Sequence, residues 1–283
     1  MDALVSPQWL SQNLYDSDLV LLDCTVCTIP EEDGGFYNVS GRADYELGHI
    51  PNAGFADLKG ELCDLNNPVE FSLPTPEKFC NVMAELGIGD DSHVVLYDTN
   101  YTAWAARVWW MLRWVGFDRA AILDGGMAGW SAEGHPLSTE IVTRTEKHLT
   151  AKPRPELIAH HDEVLASIND EEVVLIDTLP EVFYHGEMSI YARPGHIPGA
   201  INIDSLTLLD KTGRFNSKAK LAAMHTFDHD TRAITYCGGG IAASANAFIM
   251  IQLGFTNVAV YTDSLQVWAV DPNNPMVVDS PGH

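Results

Sequence analysis

The string Gly-His-Ile-Pro occurs twice in this chain, at 48–51 and 195–198, an offset of 195 − 48 = 147 residues. Its surroundings repeat with it. An apolar run ending in aspartate precedes each copy, Val20-Leu21-Leu22-Asp23 and Val174-Leu175-Ile176-Asp177. A second run follows each copy, Val94-Val95-Leu96-Tyr97-Asp98 and Ala233-Ile234-Thr235-Tyr236-Cys237. Then come a helical pattern closing on Val115-Gly116-Phe117 or Leu253-Gly254-Phe255, and a third run at 120–123 or 258–261. Each half ends on a tryptophan, Trp130 or Trp268, now 268 − 130 = 138 residues apart. The drifting offset records insertions and deletions within one pattern. A unit this long, present twice, is a tandem domain duplication and not a solenoid.

Within each unit, short apolar runs alternate with helical patterns, which predicts an α/β fold with a mainly parallel sheet flanked by helices. Helix starts are legible at Ser6-Pro7 and at Thr75-Pro76, where a hydroxyl N-cap precedes a proline at the first helical position. The stretch from Pro136 to Pro155 carries prolines, hydroxyls and charges without a period. The expected division is a first domain over 1–138, a linker over 139–157 and a second domain over 158–283.

With 39 acidic and 16 basic residues the formal charge is −23. Such a chain repels polyphosphates, so nucleic acid is not an expected partner. No apolar stretch reaches membrane-spanning length, and the first residues lack the pattern of a secretory signal. The expectation is a cytoplasmic protein without a membrane partner. Five cysteines, an odd number, argue against a disulfide framework. Cys24 and Cys27 form a C-x-x-C pair, but no second pair follows at metal-binding spacing, so both are read as structural and no metal is expected.

The fifth cysteine stands apart. Cys237 directly follows the strand-like Ala233-Ile234-Thr235-Tyr236 and directly precedes Gly238-Gly239-Gly240, Ile241, Ala242 and a helical run from Ser244 to Leu253. Three glycines let the backbone curl so that successive N–H groups can converge on the sulfur. The following helix adds the positive end of its dipole. Both favour thiolate, the nucleophilic form. The alternative is a buried structural cysteine, which would not call for three glycines in a row. At the equivalent place the first half has Asp98, then Thr99-Asn100-Tyr101. A carboxylate loop of that kind is expected neither to hold a thiolate nor to cradle an anion, so one site per chain is expected, in the second half.

A duplicated α/β unit with Gly-His-Ile-Pro, Asp124-Gly125-Gly126 leading to Trp130, and a cysteine loop in the second copy alone resembles the tandem-domain rhodanese-like sulfurtransferases. The resemblance covers nearly the whole chain. It implies two rhodanese-like domains, the first non-catalytic, with the cysteine at the bottom of a cleft between them. It further implies a sulfurtransferase working through a Cys237 persulfide, without metal or organic cofactor. The amides of Gly238, Gly239, Gly240, Ile241 and Ala242 would hold the sulfur. The donor would be a small anion, 3-mercaptopyruvate or thiosulfate, and the acceptor a thiol or cyanide. The loop itself excludes cysteine-dependent phosphate-ester hydrolysis, because the sixth residue after Cys237 is Ala243 and not the arginine that would clamp a phosphoryl group.

The loop is neutral, which in this family favours 3-mercaptopyruvate over thiosulfate, although Gly239 stands where such loops place a serine. Thr178 and Leu179 replace an arginine-containing motif, and His185 stands where another arginine is expected. Arg193 is then the second-domain cation expected to orient the anionic end of the donor; a surface arginine paired with an acid is the alternative. His185 is either a further anion contact or a solvent-exposed loop residue. His49 and His196 are expected to brace turns, and Arg42 to pair with a neighbouring acid such as Asp44. The missing cations sustain a second functional reading, a persulfide carrier or protein-binding module without turnover.

Overall fold

The structure is a computed structural model and describes residues 1–31, 35–99 and 101–279. The chain divides into two compact units, Met1–Arg154 with Asp210–Phe215, and Pro155–Leu209 with Asn216–His283. The first holds strands β1 (Leu4–Val5), β2 (Leu19–Asp23), β3 (Val26–Pro30), β4 (Phe36–Ser40), β5 (Ala53–Phe55), β6 (His93–Tyr97) and β7 (Ala120–Leu123). Its helices are α1 (Pro7–Asn13), α2 (Arg42–Leu47), α3 (Pro76–Glu85), α4 (Ala103–Trp114) and α5 (Gly126–Ala132). The second holds β8 (Ile158–Ala159), β9 (Val173–Asp177), β10 (Ile201–Asn202), β11 (Arg232–Tyr236) and β12 (Val258–Tyr261). Its helices are α6 (His161–Ser167), α7 (Glu181–Tyr184), α8 (Lys218–Ala222), α9 (Ile241–Leu253) and α10 (Ser264–Trp268).

Both sheets are five-stranded and parallel, and they share one topology. The first runs β1-β7-β6-β2-β5 and the second, read from the same edge, β8-β12-β11-β9-β10. β6 and β11, which lead to Asp98 and Cys237, are the central strands. Parallel strands with helices on their faces are buried on both sides, and β2, β7 and β12 are buried at every residue. Helix α9, which starts right after the three glycines, is buried at ten of its thirteen positions. A helix that apolar all round belongs inside a core.

The duplication extends to individual hydrogen bonds. His49 stacks on Tyr45 at 3.9 Å and meets its carbonyl through Nδ1 at 2.7 Å. His196 stacks on Tyr184 at 3.7 Å with its Nδ1 2.8 Å from that carbonyl. The Tyr45 hydroxyl donates to Ala53 O and the Tyr184 hydroxyl to Ala200 O, both at 2.7 Å. Tyr97 accepts from Ile50 N, and Tyr236 from Ile197 N. Trp130 donates its indole N–H to Pro136 O, and Trp268 to Pro275 O. The repeated histidines thus brace the turns, and the tryptophans are fully buried anchors.

Ser6 and Thr75 cap α1 and α3 as their sequence signatures predict, accepting from Trp9 N and Lys78 N. Helix α9 starts at Ile241, three residues before the expected Ser244, because the cap is Gly240 itself in a left-handed conformation. The antiparallel pair β3–β4 and the two-residue strands β1, β8 and β10 have no sequence signal strong enough to place them. Residues 139–154 are irregular but pinned: Thr150 donates twice to the Asp90 carboxylate, and Arg144 to Asn52 O. Arg42 lies 3.6 Å from Glu61 and 3.9 Å from Asp57 rather than on Asp44, whose carboxylate accepts from the Cys27 thiol.

Candidate active site

Cys237 sits at the C-terminal end of a central parallel strand, where open α/β sheets place ligands. Its Sγ accepts a hydrogen bond from Gly240 N at 3.1 Å. Of the five amides expected around the sulfur, Gly240's is the one that reaches it among the described residues. Cys237 is 3% exposed, three glycines before the first turn of α9. That turn carries backbone N–H groups without intrahelical partners and the positive end of the helix dipole, an arrangement suited to a further anionic atom.

Each glycine of the loop answers a different constraint. Gly240 has φ +78°, a region that favours glycine. Gly238 is pressed by the Tyr191 hydroxyl, which a Cβ would overlap. A Cβ on Gly239 would meet only the side chain of Gln266, at 3.1 Å. The loop is further tied to the start of α10. The Ser264 hydroxyl accepts from Cys237 N at 3.1 Å, Leu265 N donates to Cys237 O and Gln266 N to Gly238 O. Ser264 is fully buried and itself has φ +52°.

The equivalent loop of the first unit corrects a sequence expectation. Asp98 was expected to exclude an anion cradle. In the structure its carboxylate is the anion, accepting from Thr102 N at 3.1 Å and Ala105 N at 2.8 Å at the head of α4. Met127 N donates to Asp98 O just as Leu265 N does to Cys237 O. Asn100, part of the same loop, lies outside the described residues.

The expected cations take other partners. Arg193 directs its guanidinium to four carbonyls, those of Trp268, Ala269, Asp271 and Asn274, at 2.7–3.3 Å. It therefore clamps the turn after α10. His185 Nδ1 lies 2.7 Å from Asp279, on a half-exposed surface. Thr178 is fully buried and donates to Tyr236 O. Two groups near the loop were not singled out from sequence. Asp177, at the end of β9, is fully buried, and burial pushes its carboxyl up to about 7. Tyr191 lies over Gly238, and burial, with Cys237 next, pushes its phenol well above the ordinary range. The run Tyr191-Ala192-Arg193-Pro194 has no period that would have marked the tyrosine.

Among the described residues no helix is long and apolar enough to cross a membrane. Residues 6–133 and 160–271 each match the family described as the rhodanese-like domain. The chain is 31% identical over 279 residues to the 3-mercaptopyruvate sulfurtransferase of Escherichia coli K12, covering 96% of both. It is 30% identical over 276 residues to the thiosulfate sulfurtransferase of Gallus gallus, covering 94% of this chain and 93% of that one. The crystal structure of SseA from Escherichia coli, described as a 3-mercaptopyruvate sulfotransferase of rhodanese fold, superposes with a TM-score of 0.82 at 30% identity. That match covers 93% of this chain and 99% of the other.

Proposed function

This chain belongs to the rhodanese-like domain family as a tandem member, and from that premise we propose that it is a sulfurtransferase acting through a persulfide on Cys237. The observation that carries the proposal is the Gly240 N–H on Sγ at the head of α9. In the first unit the same place is filled by the built-in Asp98 carboxylate.

The Cys237 thiolate attacks the transferable sulfur of the donor, and an S–S bond forms. With 3-mercaptopyruvate the C–S bond breaks, its electron pair passes to the pyruvate enolate, and the thiol proton ends on that carbon. The products are pyruvate and the Cys237 persulfide anion. With thiosulfate the S–S bond breaks and sulfite leaves with the pair. Cyanide or a thiolate then attacks the outer sulfur and returns Cys237 as thiolate. Gly240 N–H steadies the inner sulfur, and the free amides at Gly239, Ile241 and Ala242 receive the outer one. This is electrostatic stabilisation by fixed dipoles.

No cation lies within the loop, which suits 3-mercaptopyruvate better than thiosulfate as donor. Arg193 we assign to holding the turn after α10 and His185 to its pair with Asp279; neither is assigned to the donor. Intact-mass measurement after incubation with each donor tests the reading. One added sulfur is expected on the wild type and none on Cys237→Ser, with pyruvate released faster than sulfite. A wild type that gains no sulfur would overturn it, and sulfur loading without release to cyanide or thiols would make the protein a carrier.

A further inference from the structure

The two units differ by an insertion next to the reacting sulfur. In the first, Tyr45 and Gly48 of the repeated module are separated by two residues, Glu46 and Leu47. In the second, the equivalent Tyr184 and Gly195 are separated by ten, residues 185–194. The equivalence rests on the two stacked tyrosine–histidine pairs. The unit with the nucleophile is therefore also the unit with the longer loop.

That loop delivers Tyr191 onto the cysteine loop. Its ring packs against the core of the second unit, and its hydroxyl lies so close to Gly238 that a methyl group there would overlap it. The other tyrosines of the repeated module all have partners for their hydroxyls: Tyr45 and Tyr184 donate to main-chain carbonyls, and Tyr97 and Tyr236 accept from main-chain N–H groups and also bond the carboxylates of Asp23 and Asp177. Tyr191's hydroxyl has no hydrogen-bond partner among the described residues. Arg193, two residues on, locks the loop through its four carbonyl contacts. Ser189 closes its other side, donating to Tyr191 O and accepting from Tyr191 N.

We propose that the Tyr191 hydroxyl, held against Gly238 beside Cys237, is a catalytic hydrogen-bond donor to the sulfur carried on Cys237. This rests on the persulfide reading above. Tyr191 keeps its proton throughout and forms no covalent bond. Burial keeps the phenol protonated, so it acts as a neutral donor and not as an acid. A donor that strengthens as charge gathers on the outer sulfur lowers the barrier without tightening donor binding.

Tyr191→Phe removes the hydroxyl and keeps the ring. Single-turnover loading of sulfur onto Cys237 should slow on the order of tenfold, as for one lost hydrogen bond to a charged group. The KM for the donor should stay within about twofold and the thermal midpoint unchanged, a split that a structural role would not produce. Gly238→Ala displaces the hydroxyl without deleting it and should slow loading in the same direction. Combined with Tyr191→Phe it should cost less than the two separate losses added together. A Tyr191→Phe protein that loads at the wild-type rate would overturn the inference while leaving the persulfide chemistry in place. A wild type that never loads sulfur would overturn both, and the wild-type arm alone reveals it.

Discussion

At Asp98 the chain brings its own anion to a helix terminus; at Cys237 the same terminus faces a sulfur. The carboxylate takes two amides at the head of α4 and so offsets orphan donors that would otherwise need another partner. Asp98→Ala should therefore lower the unfolding free energy of the first unit by about 1–2 kcal/mol, the usual cost of a lost charged cap. Six of the seven tryptophans, all but Trp268, lie in that unit, so urea denaturation followed by tryptophan fluorescence reports on it. An unchanged midpoint would mean that the carboxylate is not the cap. The glycine loop that brings an amide onto the Cys237 sulfur was legible at this scale, because a strand, a cysteine and three glycines in succession have few other uses. The partners of Arg193 were not. They lie 75 to 81 residues away in sequence, and nothing local in Tyr191-Ala192-Arg193-Pro194 announces them.

At the scale of elements, the glycines illustrate what a turn demands. Gly240 ends the loop in a left-handed conformation, caps α9 and carries the amide on the sulfur. Gly240→Ala forces a side chain into that region at a cost of about 1–2 kcal/mol and moves the amide. Sulfur loading should slow by about tenfold or more. Gly239→Ala meets only the side chain of Gln266 and should cost much less. Equal losses in the two variants, read from initial rates of pyruvate release, would contradict this division of roles. The longer strands and helices followed from their apolar runs and caps. The two-residue strands β1, β8 and β10 did not, because two residues carry no periodicity and only pairing to a neighbour makes them strands.

For the molecule as a whole, the buried Asp177 couples stability to pH. Its folded-state carboxyl is raised from 3.8 to about 7 by burial, so folding holds the proton that the unfolded chain releases. The resulting stabilisation is complete below about pH 4 and is lost as pH rises through 7, at about 1.4 kcal/mol per pH unit within that window. Asp177→Asn should remove this component. Denaturation midpoints measured from pH 4.5 to 7.5 should fall less steeply in the variant than in the wild type, and parallel slopes would refute the assignment.

The amino-acid order by itself settled the duplication, the parallel α/β character of each copy, and the place of Cys237 between a strand and a helix where the first copy has Asp98. These are properties of periodicity and of neighbouring residues, and periodicity is written along the chain. Folding in three dimensions decided that Arg193 clamps main-chain carbonyls, that Asp98 occupies the cradle of its own unit, and that Tyr191 lies over Gly238. The partners of Arg193 and Tyr191 lie far apart in sequence and those of Asp98 only four and seven residues on, but each contact is made by a side chain whose free energy depends on which groups surround it once the core has closed.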